Sequence, residues 1–244
     1  DVLLVNNSKQ ETPANTTQNI ENQATESGEK TYSNPVEAQA RKMVENMTLY
    51  EKVGQMLLYY IPKEEPLKKM ARWQFGGYIL FSRNFQNSTP ANTRSEIEEY
   101  QKASKIPAFM AVDEEGGGVN RVSQFSQYRS EPDAKDKSEF MLDLGINTVL
   151  APVADVPYSR SDYIYSRAFS TDADSVSEYV SKTVGTMKEN NLLSCVKHFP
   201  GYGNNSNTHT GMSVDKRSWE SFEERDLKPF KAGIDAGVPF LMVS

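Results

Sequence analysis

From residue 35 onward, apolar positions alternate between two kinds of segment. PVEAQARKMVENM (35–47) carries them at helical spacing, with Pro35 at a favourable first-turn position. Thr48-Leu49-Tyr50-Glu51 fits a capping box and predicts a helix containing VGQMLL. GGYILF (76–81) is a short apolar run behind two glycines and predicts a buried strand. TRSEIEEYQKAS (93–104) predicts a helix, and IPAFMAVD (106–113) a strand that ends on an acid. DAKDKSEFMLDLG (133–145) predicts a helix with a glycine stop, followed by the strand INTVLAPV (146–153). ADSVSEYVSKTVGTMKENN (173–191) is amphipathic at helical spacing, and LLSCVKHF (192–199) predicts the next strand. WESFEERDLKPFKAGIDAG (219–237) and VPFLMVS (238–244) repeat the pair once more.

Strand and helix in turn imply βαβ units and a parallel sheet, the α/β class. Residues with chemical potential gather just after the strands: Asp113 with EEGGG, Pro152 with Asp155, and Lys197 with His198. That is the C-terminal rim, where α/β barrels and open α/β sheets build their sites. The five strands so predicted fall short of the eight of a closed barrel. The last of them, ending at Ser244, is expected to leave an exposed edge, so the chain reads as an incomplete barrel domain over 35–244.

The first part reads differently. NNSKQETPANTTQNIENQATESGEKTYSN (6–34) is dominated by Asn, Gln, Thr, Ser and Glu and lacks the apolar surface that would offset ordering entropy. Residues 1–34 are therefore expected to be a disordered polar tether. Such a tether suits spacing from an N-terminal membrane or cell-wall anchor, and equally an ordinary polar terminus. The extracellular or cell-surface location this suggests stands beside a cytoplasmic one.

Composition narrows the function. The 244 residues are 37% hydrophobic and 25% charged, with a net charge of −6. The negative balance argues against a nucleic-acid partner, which would meet a basic stripe. No apolar run approaches the ~20 residues of a membrane-spanning helix. The single cysteine, Cys195, lies in the apolar run LLSCV and reads as a buried structural thiol. No metal-ligand cluster or phosphate-cradling glycine pattern is present, so no cofactor is implied.

Both histidines fall in KHFPGYGNNSNTH (197–209). Lys197 and His198 leave a strand end together, and Pro200, Gly201 and Gly203 impose an irregular turn. NNSNTH then forms a polar loop carrying His209. In SDYIYSRAFS (161–170), Arg167 sits among aromatic and apolar neighbours, which implies partial burial and a partner. No serine occupies a G-x-S-x-G elbow, and a zinc site would need more ligands.

KHFPGYG, with DEEGGGVNRV upstream and LKPFKAGIDAGVPFLMVS downstream, resembles glycoside hydrolase family 3, in its β-N-acetylglucosaminidase (β-hexosaminidase) branch. That branch carries KHFPGHG followed by a loop with Asp-x-His. GGYILFSRN and GINTVLAPVADV agree with the same family, so the resemblance runs from about Pro35 to Ser244. It implies a TIM-like (β/α) barrel, present in part. It implies that Asp113, Arg167, Lys197 and His198 hold sugar hydroxyl groups, and that His209 is the general acid/base of a retaining reaction. The implied partner is a glycan with terminal β-linked N-acetylglucosamine, such as a peptidoglycan fragment.

Three departures bear on that expectation. Asn207 stands where the family has the aspartate partner of the loop histidine, which removes a charge beside the imidazole. The family's nucleophilic aspartate lies on a strand beyond Ser244, so this chain alone is expected to be inactive and to need the remainder of the barrel or a second chain. QYRSEPDAKDKSEF (127–140) is also shorter than the corresponding family segment. The alternatives are a non-catalytic sugar-binding surface protein, a β-glucosidase, or a phosphorylase of the same family.

Overall fold

The computed structural model describes residues 2–4 (backbone), 34–125 and 133–244. In chain order, β1 is Val2–Leu4, followed by α1 (Pro35–Glu45), α2 (Leu49–Gln55), β2 (Leu58–Tyr60) and α3 (Pro66–Trp73). Next come β3 (Gly77–Leu80), α4 (Ser82–Phe85), α5 (Pro90–Ala103), β4 (Phe109–Val112), α6 (Ala134–Asp143) and β5 (Thr148–Val149). The chain continues with α7 (Ala173–Glu189) and β6 (Leu193–Phe199). A short α8 (Trp219–Ser221) passes through a π-helical turn, Phe222–Asp226, into α9 (Leu227–Asp235), and β7 is Phe240–Val243.

Helix starts follow local chemistry. The Asn34 side chain accepts from Val36 N–H at 2.9 Å, and Thr48 and Glu51 form the reciprocal box expected of them. Thr89, Asp133, Asp172 and Ser218 cap α5, α6, α7 and α8 in the same way. Each such cap is worth ~1 kcal/mol.

Two predicted boundaries are corrected. VGQMLL does not remain helical: α2 ends at Gln55, and Leu58–Tyr60 departs as a strand paired in parallel with β3. Gly54 lies so near the next segment that a Cβ there would sit 2.0 Å from Trp73 O, so the chain must turn away. The second correction concerns the edge of β7, which is paired rather than open: Val2–Leu4 runs antiparallel to it, with Leu3 opposite Leu241. VLL is the apolar opening of an otherwise polar stretch, and unpaired edge amides and carbonyls are what such a segment satisfies. These three residues are thus strand rather than tether. Residues 5–33 of the expected tether, and 126–132 of the short segment before α6, lie outside the described residues.

The sheet order is β1-β7-β6-β5-β4-β3-β2, and β2 to β7 are parallel neighbours in chain order. Advancing one place per crossover in a single direction is the winding of a β/α barrel. The structure is therefore the partial TIM-like barrel anticipated from the sequence.

One core cluster joins Tyr78, Met110, Val112 and Val149 to Ile97, Tyr100 and Met141 of the helices. A second joins Val176, Val180 and Val184 of α7 to Val196, Phe230 and Leu241. Ala111, Leu150, Cys195 and Phe240 form a third, on the other face of the sheet. Because side chains alternate along a strand, Asp113 follows Ala111 onto this inner face, and Lys197 follows Cys195. The site begins there. Among the described residues, no helix is long and apolar enough to cross a membrane.

Candidate active site

Strands β4 and β6 are separated by β5, a gap of ~10 Å at sheet spacing. The Lys197 side chain spans it. Its Nζ lies 2.6 Å from Asp113 Oδ1 and 2.7 Å from Glu115 Oε1, with the lysine side chain 2% exposed. Glu115 in turn receives Arg167 through two contacts, Nε to Oε2 at 2.9 Å and Nη2 to Oε1 at 2.6 Å. Such forked pairing is stronger and more directional than a single ion pair. Arg167 Nη2 also reaches His198 Nε2 at 3.0 Å. Guanidinium only donates, so His198 Nε2 accepts and its proton sits on Nδ1. That proton is donated to Asp155 Oδ2 at 2.7 Å.

Asp155 is fully buried and further receives the backbone N–H groups of His198 and Tyr202, at 3.1 and 2.7 Å. It thereby fixes the start of the turn. The register between β6 and β7 slips between Lys197 and Phe199, which re-aims the side chains so that both Lys197 and His198 join one cluster.

Electrostatics follow from burial. Burial alone would raise the Glu115 carboxyl, but the Arg167 hydrogen bonds and the charges of Lys197 and Arg167 outweigh it and hold it at about 2. Burial tends to lower Arg167, and its pairing with Glu115 reverses this and raises it. Cys195, directly below Lys197 on the inner face, has its thiol pushed up to about 12 by burial.

Asp113, Arg167, Lys197 and His198 are thus gathered in one connected cluster. His209 stands apart on an exposed loop, where its Nδ1 and backbone N–H both face Asn207 Oδ1, at 2.9 and 3.0 Å. The residue after the turn, Tyr202, links the two regions. Its ring meets His198 edge-on, with centroids 5.2 Å apart, and its hydroxyl is 2.5 Å from Thr208 Oγ1. A pocket of ≈ 100 Å³ lies there, bounded by His198, Tyr202, Thr208 and Asp215. A larger one of ≈ 680 Å³ flanks the Glu115–Arg167 pair, reaching Tyr179 and Lys182 of α7. Neither is lined by His209.

Sequence reasoning gave no role to Glu115, Asp155 or Tyr202. A signal existed for the two acids, since each follows a strand end by a few residues. Tyr202 carried none. Among the described residues, no group of three or more His, Cys, Asp or Glu is arranged to hold a metal ion.

The chain matches the family model described as the glycosyl hydrolase family 3 N-terminal domain over residues 48–244. It is similar to a β-hexosaminidase of Thiobacillus denitrificans, with 30% identity covering 68% of this chain and 52% of that protein. A β-hexosaminidase of Xylella fastidiosa is 31% identical, with 69% and 56% covered. The chain spans about half the length of the curated relatives it matches. Among solved structures, a β-N-acetylhexosaminidase from Beutenbergia cavernae superposes with TM-score 0.69 and 25% identity, covering 82% of this chain and 68% of the other.

Proposed function

The chain belongs to glycosyl hydrolase family 3, and from that premise we propose that the protein is a retaining β-N-acetylglucosaminidase releasing terminal N-acetylglucosamine from peptidoglycan fragments or related glycans. The observation that carries this reading is the unbroken chain of contacts Asp113–Lys197–Glu115–Arg167–His198–Asp155 on the inner face of the sheet. Such a cluster offers a pyranose both kinds of partner that its hydroxyl groups need. Asp113 accepts through Oδ2, which has no partner among the described residues, and the Lys197 and Arg167 cations donate.

Glu115 and Asp155 are each engaged by cations or backbone amides, which suits holding rather than attacking. The attacking carboxylate is the aspartate that the family resemblance places on a strand following Ser244. His209 supplies the leaving-group proton and then deprotonates the incoming water, work for which imidazole is suited near neutral pH. Asn207 fixes the ring through Nδ1 but contributes no charge. This favours one second reading, a sugar-binding protein without turnover.

Hydrolysis of nitrophenyl β-N-acetylglucosaminide by the full-length protein tests the proposal. Turnover that is abolished in His209→Ala and exceeds turnover of the glucoside supports it. Tight sugar binding without turnover, also in Asn207→Asp, replaces it with the binding reading. Faster release in the presence of phosphate would make the enzyme a phosphorylase. A cell-surface location is proposed from the polar segment 6–34, and cell fractionation decides it against the cytoplasm.

A further inference from the structure

The loop that carries His209 is fixed at its neck. Arg217 Nη2 donates to Gly201 O at 2.7 Å, Nη1 to the buried Asp226 Oδ1 at 2.6 Å, and the same guanidinium pairs with Asp215. Its face lies over the Phe222 ring, 4.3 Å from the centroid. Asn205 N–H donates to Tyr202 O at 2.8 Å, closing the other side. Beyond this neck the loop is open, with Met212 96% exposed. Among the described residues, the hydrogen bonds joining 206–212 to the folded body all run through Thr208 Oγ1, to Tyr202 Oη and to Ser244 Oγ. The remainder, Asn207 with His209 and Thr210 and Ser206 with Ser213, stay within the loop.

Tyr202 is a rigid support for that contact. It is 5% exposed, its N–H is held by Asp155, and its ring packs edge-on against both His198 and Tyr163. We propose that Tyr202 is a positioning residue for the acid/base step: its hydroxyl, bonded to Thr208, holds the neighbour of His209 against the sugar cluster and so sets where the imidazole is presented. This rests on His209 as the acid/base, and it deepens that reading by naming what places the loop. Because the ring also touches His198, one side chain joins the sugar-holding region to the proton-moving one.

The test uses the full-length protein with Tyr202→Phe, which keeps the ring and removes only the hydroxyl. For a substrate whose leaving group needs protonation, such as a disaccharide glycoside, kcat/KM should fall about tenfold, the scale of one neutral hydrogen bond. For the dinitrophenyl glycoside, whose leaving group departs without a proton, the loss should stay below about twofold. Inhibition by free N-acetylglucosamine should not change. Thr208→Ala should show the same split, and the double variant no further loss. Hydrogen exchange of the 206–212 amides, read on the same variants, should accelerate. An equal loss on both substrates, or no loss, overturns the positioning role. If His209→Ala itself shows no leaving-group dependence, the acid/base assignment has failed instead. In that case faster exchange alone upholds the Tyr202–Thr208 latch, and unchanged exchange removes it.

Discussion

Glu115 holds two cations on one carboxylate, so Glu115→Gln probes the charge balance of the cluster with almost no change in shape. The glutamate side chain is 4% exposed, and its partners Lys197 and Arg167 are 2% and 18% exposed. Burial, which by itself would raise the carboxyl, is outweighed by these partners, giving about 2 against 4.5 for a free glutamate. A depressed folded-state value means that the stabilisation is fully present above pH 4.5 and fades as pH falls toward 2. A shift of that size corresponds to about 3 kcal/mol at pH 7, declining to roughly half of that at pH 3. Removing one partner of a buried ion pair costs about 3–5 kcal/mol in general, so the two routes agree. Urea unfolding of both proteins at pH 7 and pH 3 measures the gap. The reasoning fails if the gap at pH 7 is below about 1 kcal/mol, the range of solvent-screened surface pairs. It fails equally if the gap stays constant between the two pH values.

Asn207→Asp places a carboxylate where Asn207 Oδ1 now lies 2.9 Å from His209 Nδ1, stabilising the charged ring. Its kcat on the nitrophenyl substrate should rise several-fold, and an unchanged kcat removes Asn207 from the proton-transfer machinery. Gly203→Ala should lower stability by about 2 kcal/mol, since φ is +54° and a Cβ would lie 2.1 Å from Arg217 Nη1. A thermal midpoint equal to that of the parent refutes the clash. Cys195, buried and with its thiol pushed up to about 12, should resist iodoacetamide at pH 8 in the folded protein and react on unfolding. Rapid labelling of the native protein would show that the inner face opens.

Legibility followed period and position. The strands around residues 77–80, 109–112, 193–199 and 240–243 were readable because each is a short apolar run between helical patterns. β2 was not, since Leu58–Tyr60 continues the apolar run of the preceding helix and only the close approach at Gly54 ends it. α3 was also missed: it is one amphipathic segment, Pro66–Trp73, entered through a left-handed Glu65 that no composition cue marks. In the site, Asp113 and Lys197 were legible because strand ends and alternation fix both direction and face. Glu115 and Tyr202 depend on contacts 82 and six residues apart in sequence, to Lys197 and Thr208, and only the assembled sheet and the folded turn create them.

The hydrogen-bond inventory divides the cluster by what remains available to a ligand. Asp155 receives three donors, and Glu115 receives two from Arg167 and one from Lys197, so both are committed to the protein. Both ring nitrogens of His198 are occupied as well, by Asp155 and Arg167. His198 can therefore meet a sugar hydroxyl at Nε2 only by displacing Arg167 Nη2, whereas its present contacts let it orient the guanidinium. Asp113, with side-chain exposure of 21%, keeps Oδ2 free among the described residues, and Arg167, whose Nη1 donates to Tyr163 Oη at 3.3 Å, keeps the second N–H of that nitrogen. A hydroxyl arriving between these two finds an acceptor and a donor already oriented by buried neighbours. Little reorganisation is then charged against binding, which is the advantage of placing the paired acids behind the exposed ones.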